Sequence, residues 1–272
     1  MSDSFDPMQS MEWPKGPRPK FRFRFGMRTI LWAVALAAMM FALFLPMQRS
    51  SPEPSFRSQC RNNLRQIALA LRSYEETYGS LPPAYIAAED GTPMHSWRVL
   101  ILPFLDQKDL YDRYRFDEPW NGPNNSKLAQ HIPSVYRCPS FEYGRWGVPN
   151  DSAEIKTLTP YVVLAGDKTP FPGPQATKTE DIRDGLSHTL LVVELDSTSG
   201  VPWTAPQDID TDGFCRILNL ENPRTKQHPG GLHVAFADAA VRFLKNSLDP
   251  NFVQKIATAN GGEPFQWENA PW

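Results

Sequence analysis

The sequence predicts an α+β fold in which an N-terminal transmembrane helix leads into an amphipathic helix packed on a mainly antiparallel sheet, with long loop insertions. Three observations predict it. An apolar run from Ile30 to Leu45 carries no polar side chain. A stripe of Cys60, Leu64, Ile67, Leu71, Tyr74 and Tyr78 recurs in steps of four and three. Short β-branched runs then follow one another between turn-rich stretches, and helices segregated to one face of such strands give the α+β class.

The bulk composition limits the function classes. The chain has 272 residues and 41 % hydrophobic content, enough for a packed core. Its 28 basic and 30 acidic residues leave a net charge of -2, which gives no general attraction to nucleic acid, so no nucleic-acid partner is expected. The 27 prolines favour short elements joined by irregular segments.

The first element is the anchor, expected over residues 26–47. Phe25 to Met47 makes a helix of roughly 34 Å, against a hydrocarbon core of roughly 30 Å. Lys15, Arg18, Lys20, Arg22, Arg24 and Arg28 precede the run, whereas only Arg49 follows it before Arg57. That asymmetry places the N-terminus in the cytoplasm and the main domain outside it, on the periplasmic side. Residues 1–25, with Pro14, Pro17 and Pro19, read as a disordered basic cytoplasmic tail. A cleaved signal peptide fits less well, because Ala33-Val34-Ala35 and Ala35-Leu36-Ala37 fall inside the apolar run.

A Ser/Pro-rich linker over 48–57 precedes the extracytoplasmic domain, 58–272. Its amphipathic helix directs Arg61, Asn62, Arg65, Arg72 and Glu75 away from the apolar stripe, stops at Gly79, and is kept from restarting by Pro82-Pro83. A short helix is expected near Trp97–Leu105. Strands are expected at Tyr161–Leu164, Thr189–Glu194, Val234–Phe236 and Val241–Leu244, with 141–160 and 165–181 as loops.

Four groups of residues invite a chemical reading. Gly185-Leu186-Ser187-His188-Thr189 approaches a nucleophile elbow, but it precedes the β-rich run LLVVE instead of following a strand, so Ser187 is not expected to be catalytic and no enzyme activity is expected. Asp208, Asp210, Asp212 and Gly213 match the first half of a calcium loop; position twelve is Asn219, and the competing reading is a solvated acidic turn. His228, His233 and Asp238 lie five residues apart, a step that alternates faces along a strand and prevents convergence on a metal unless a turn intervenes. Trp97, Trp120, Trp146 and Trp203 offer sugar-stacking surfaces or ordinary core packing.

Several stretches together resemble the domain-of-unknown-function family DUF1559, abundant in planctomycete bacteria and related to type II secretion pseudopilins. They are Gln59 to Ile67, Tyr78 to Pro83, Ser96 to Leu105, Tyr111 to Trp120, Tyr136 to Ser140, Asp184 to Glu194, and His228-Pro229-Gly230-Gly231 through Asp238. The last is similar to the family's C-terminal signature of His, nine residues, then Asp-Gly, carried here by His228 and Asp238, with Ala239 in the glycine position. The resemblance implies a pilin-like arrangement and a structural or interaction role in the cell envelope. Its partners would be the membrane and either copies of itself or another envelope protein. The alternative is a ligand-binding module for calcium, glycan or peptide, and no other cofactor is expected.

Two further readings follow from the resemblance. Family members open with a prepilin leader, whereas this chain has Phe25-Gly26-Met27-Arg28-Thr29-Ile30 without the glutamate that docks a pilin into a filament. A fixed tether is the expectation. Cys60 and Cys138 lie inside matching segments and Cys215 does not, so an oxidising compartment would pair Cys60 with Cys138; otherwise they are small buried residues.

Overall fold

A computed structural model describes residues 26–44, 53–143, 155–195, 199–219, 228–246 and 248–262. It divides into two compact units, Met1–Ser50 and Ser51–Trp272. In the first unit, α1 (Met27–Phe44) is an 18-residue helix, about 27 Å long. Residues 26–40 are all exposed, Met27 at 80 % and Trp32 at 73 % among them. Among the described residues no helix is long and apolar enough to cross a membrane. A helix thus stands within the stretch 26–47 where a transmembrane helix is expected, but the described part of it is not a membrane-crossing one; residues 45–47 and the tail 1–25 lie outside the described residues.

The second unit runs through α2 (Glu53–Tyr78), β1 (Tyr85–Ala87), β2 (Pro93–Ser96), α3 (Trp97–Leu100), α4 (Lys108–Arg113), α5 (Asn125–Leu128) and α6 (Pro139–Tyr143). It continues with β3 (Leu158–Thr159), β4 (Tyr161–Val163), β5 (Leu190–Glu194), β6 (Val201–Pro202), α7 (Thr211–Asn219), β7 (Gly231–Phe236), β8 (Val241–Lys245) and α8 (Pro250–Ala257). The main sheet has the order β4-β5-β7-β8 and is antiparallel throughout. Two further antiparallel pairs, β1-β2 and β3-β6, stand apart from it.

Side chains alternate across a strand, so one sheet can feed two cores. Tyr161, Val163, Val192 and Ala235 join Cys60, Leu64, Ile67 and Leu71 of α2 in one apolar cluster. Val162, Val193, Val234 and Phe236 join Phe214 and Leu218 of α7 and Val253 and Ile256 of α8 in the other. The sheet is therefore sandwiched between α2 and the α7/α8 pair. The expected single helix on a sheet gains a second helical layer, which explains why β4, β5 and β7 are buried on both faces.

Local chemistry moves several expected boundaries. The helix expected after a 48–57 linker starts at Glu53, because Pro54 falls in the first turn, where no intrahelical N–H is required; residues 48–52 lie outside the described residues. Tyr78 departs from the buried stripe at 61 % exposure and packs edge-on against Phe104. Gly79 closes α2 with φ 78°, its N–H on the Glu75 carbonyl at 2.7 Å. The helix expected over Trp97–Leu105 breaks at Ile101 into α3 and a 3₁₀ turn carrying Pro103. Inside the expected loop 141–160, β3 pairs with β6, while residues 144–154 lie outside the described residues.

Candidate functional site

Glu194 ends β5 with its carboxylate fully buried on the α2 side of the sheet. Oε2 accepts the His233 backbone N–H at 3.1 Å and lies 3.3 Å from His228 Nε2 and 3.4 Å from His233 Nδ1. Two histidines thus meet one carboxylate. The sequence does this with a turn: Gly230 takes φ 91°, and the bridge from His228 to Gly231 folds His228 back over β7. The two rings meet edge to face, 4.8 Å between centroids. On its other side, His228 Nδ1 is 3.3 Å from Ser140 Oγ.

Burial alone would raise the Glu194 pKa, but the neighbouring His228 and the His233 contacts overcome it and bring the carboxyl down from 4.5 to about 2. Glu194 Oε1 lies 3.4 Å from Cys138 Sγ, and Cys138 is disulfide-bonded to Cys60 with a Cα–Cα distance of 5.4 Å. Cys60, Cys138, Glu194 and His228 place their ligand atoms within 4.8 Å of one another, a grouping suited to a metal by distance. The disulfide removes both thiolates from that set, leaving one carboxylate and one imidazole. The arrangement fits a buried clasp, in which the bond between α2 and the chain before α6 closes a span of 78 residues, worth about 4 kcal/mol of loop entropy.

His233 is only 5 % exposed, yet its ring borders a cleft of about 470 Å³ between α2 and β8. Pro54, Arg57, Ser58 and Arg61 form the helical wall, and Val241, Arg242 and Phe243 form the strand wall. The Arg57 guanidinium lies over the Phe243 ring, 4.1 Å from its centroid, a placement that fixes a long side chain at the rim.

The calcium reading is not what the acidic loop provides. Asp208 turns into the core, where Oδ1 accepts from Arg98 Nη2 at 2.8 Å, Trp97 Nε1 at 3.1 Å and the Val163 N–H at 3.0 Å. Burial raises the Asp208 pKa against the opposing attraction of Arg98. Asp210 Oδ1 instead accepts the Gly213 N–H at 2.6 Å, and Asp212 lies in the first turn of α7. Among the described residues the three carboxylates do not gather around one point. The sequence lacks the rest of the loop because these residues start a helix.

Other singled-out residues are equally committed. His188 Nδ1 donates to the Asp184 carbonyl at 3.2 Å, and Ser187 occupies the turn before β5. Trp97 and Trp203 are fully buried, Trp203 donating to the Ala129 carbonyl at 2.8 Å, so neither offers a face to a sugar; Trp146 lies outside the described residues. Asp238 is exposed and shapes the β7–β8 turn by accepting the Ala240 N–H at 2.9 Å. His228 and Asp238 thus serve opposite ends of β7. Cys215 is a free, buried cysteine.

Sequence reasoning missed Glu194 as the hub. Its signal was a charged residue continuing the apolar run LLVV in a strand buried on both faces, a place where a carboxylate persists only if paired.

No curated protein and no solved structure matches the chain. The profile of the protein family of unknown function DUF1559 matches residues 56–215, which hold α2 from Phe56 onward, the disulfide and the Glu194 carboxylate. His228 and Asp238 fall beyond the matched stretch. With more than half its length covered, the chain belongs to the DUF1559 family of proteins of unknown function.

Proposed function

We propose that this protein is a membrane-tethered, pseudopilin-like interaction module of the cell envelope, with its N-terminus in the cytoplasm and its main domain on the periplasmic side, working by binding and not by catalysis. The observation that carries the reading is α1: after Arg28 it has no charged residue, and the side chains of residues 29–40 are all exposed. An apolar helix with no covered face is stable where its surroundings are apolar. Its 18 described residues alone do not make a membrane-crossing helix, but Phe25 and Leu45 continue the apolar sequence at either end. The Cys60–Cys138 disulfide supports an oxidising compartment for the main domain.

Washing membranes with alkaline carbonate tests the tether: the full chain stays in the pellet with an intact N-terminus. Release into the wash, or cleavage near Gly26, overturns it, the second in favour of a processed filament subunit. Hydrolysis of generic esters or peptides that disappears in Ser187→Ala would overturn the non-enzymatic reading.

A further inference from the structure

β8 is the last strand of its sheet, and among the described residues it pairs only with β7. Its outer row of N–H and C=O groups is therefore a template for one more strand. Three consecutive residues, Val241, Arg242 and Phe243, line the cleft, so the backbone of β8 borders the space as well as its side chains. The opposite wall is α2, which contributes Arg57 and Arg61 one turn apart, a spacing at which like charges repel. Neither makes an ion pair among the described residues, and Arg57 is held in place over Phe243. A groove between an edge strand and a helix, cationic on the helical wall and lined by Val241, Arg242 and Phe243 on the strand wall, has the layout for strand addition.

We propose that this cleft takes an extended acidic segment of a partner protein, added antiparallel or parallel to β8, with carboxylates two residues apart against Arg57 and Arg61. The spacings agree: alternate strand residues are about 6.8 Å apart, and residues four apart on the helix wall about 6 Å. The intervening apolar positions turn to the opposite face of the sheet, while Val241 and Phe243 pack against the aliphatic stems of the carboxylate side chains. The inference rests on the interaction role proposed above and names its partner by chemistry, but it does not require the tether.

The full chain, purified in detergent, is titrated with a fluorescently labelled, capped heptapeptide alternating valine and glutamate, and anisotropy reads the Kd. The expected result is saturable binding that weakens at least tenfold in Arg57→Glu and in Arg61→Glu, with thermal melting confirming that both variants fold. Lysine in place of glutamate in the peptide abolishes binding, and N-methylation of alternate peptide amides does the same. Equal binding of the N-methylated peptide overturns strand addition, and millimolar succinate displacing the peptide reduces the cleft to a free-anion site. No binding of any peptide, or no effect of either arginine variant, overturns the proposal outright. The carbonate wash reads the tether separately, so peptide binding by a chain that leaves the membrane sinks only the anchor.

Discussion

At Gly231 a methyl group has no space: a Cβ there would overlap the Leu244 carbonyl oxygen, which is backbone and cannot swing aside. Gly231→Ala is therefore expected to lower stability by about 2 kcal/mol or more, read as a drop in the urea midpoint, by forcing β7 from β8 where the two strands begin to pair. The other end of the hairpin carries the opposite situation. Ala239 sits at φ 63°, its N–H on the Phe236 carbonyl at 2.9 Å, in the left-handed position that closes a turn of this kind. The glycine position of the family signature thus takes a positive φ here, with an alanine occupying it. Ala239→Gly removes a Cβ strain of about 1 kcal/mol, and thermal melting is expected to rise accordingly, less the small loss of one buried methyl.

Individual elements are joined by polar clasps as much as by apolar contact. Arg98 on α3 spends all five donors on Tyr161, Ser96, Ala205, Gln207 and Asp208, linking α3 to β4 and to the chain before α7. Asp208→Asn leaves that guanidinium buried without its counter-charge, and equilibrium unfolding is expected to show a loss of about 3 kcal/mol. Much of this architecture is written in local pattern. The four-three stripe announces α2, Gly79 announces its end, and the β-branched runs announce β4, β5, β7 and β8, because each signal is the periodicity of burial itself. The α7 and α8 layer is not announced, since Thr211–Asn219 and Pro250–Ala257 are short and their apolar faces acquire meaning only against the far side of the sheet. The disulfide came from resemblance, and the convergence of His228 and His233 was hidden by the Gly230 turn. Arg57 reads as linker and Arg61 as solvated helix, because the edge strand that faces them lies more than 170 residues away.

For the whole molecule, the Glu194 cluster sets the acid limb of stability. Its folded pKa of about 2 lies below the 4.5 of an unperturbed glutamate, so the unfolded chain binds the proton first as pH falls. The stabilisation is complete above about pH 4.5 and is lost as pH drops toward 2, amounting to about 3 kcal/mol. Denaturant titrations at a series of pH values are expected to show this slope in the native protein and its absence in Glu194→Gln, which is already weakened at pH 7. The disulfide beside that cluster also governs how the domain bears load. A pull on the start of α2 reaches Cys60 after seven residues, and there the force passes through a covalent bond into the segment leading to α6. Only the turns before Cys60 can be drawn out, yielding about 14 Å of slack from helix to extended chain. Beyond that, tension bypasses the rest of α2 and its contacts with the sheet, so the domain resists being peeled open from the side on which its preceding chain would tug.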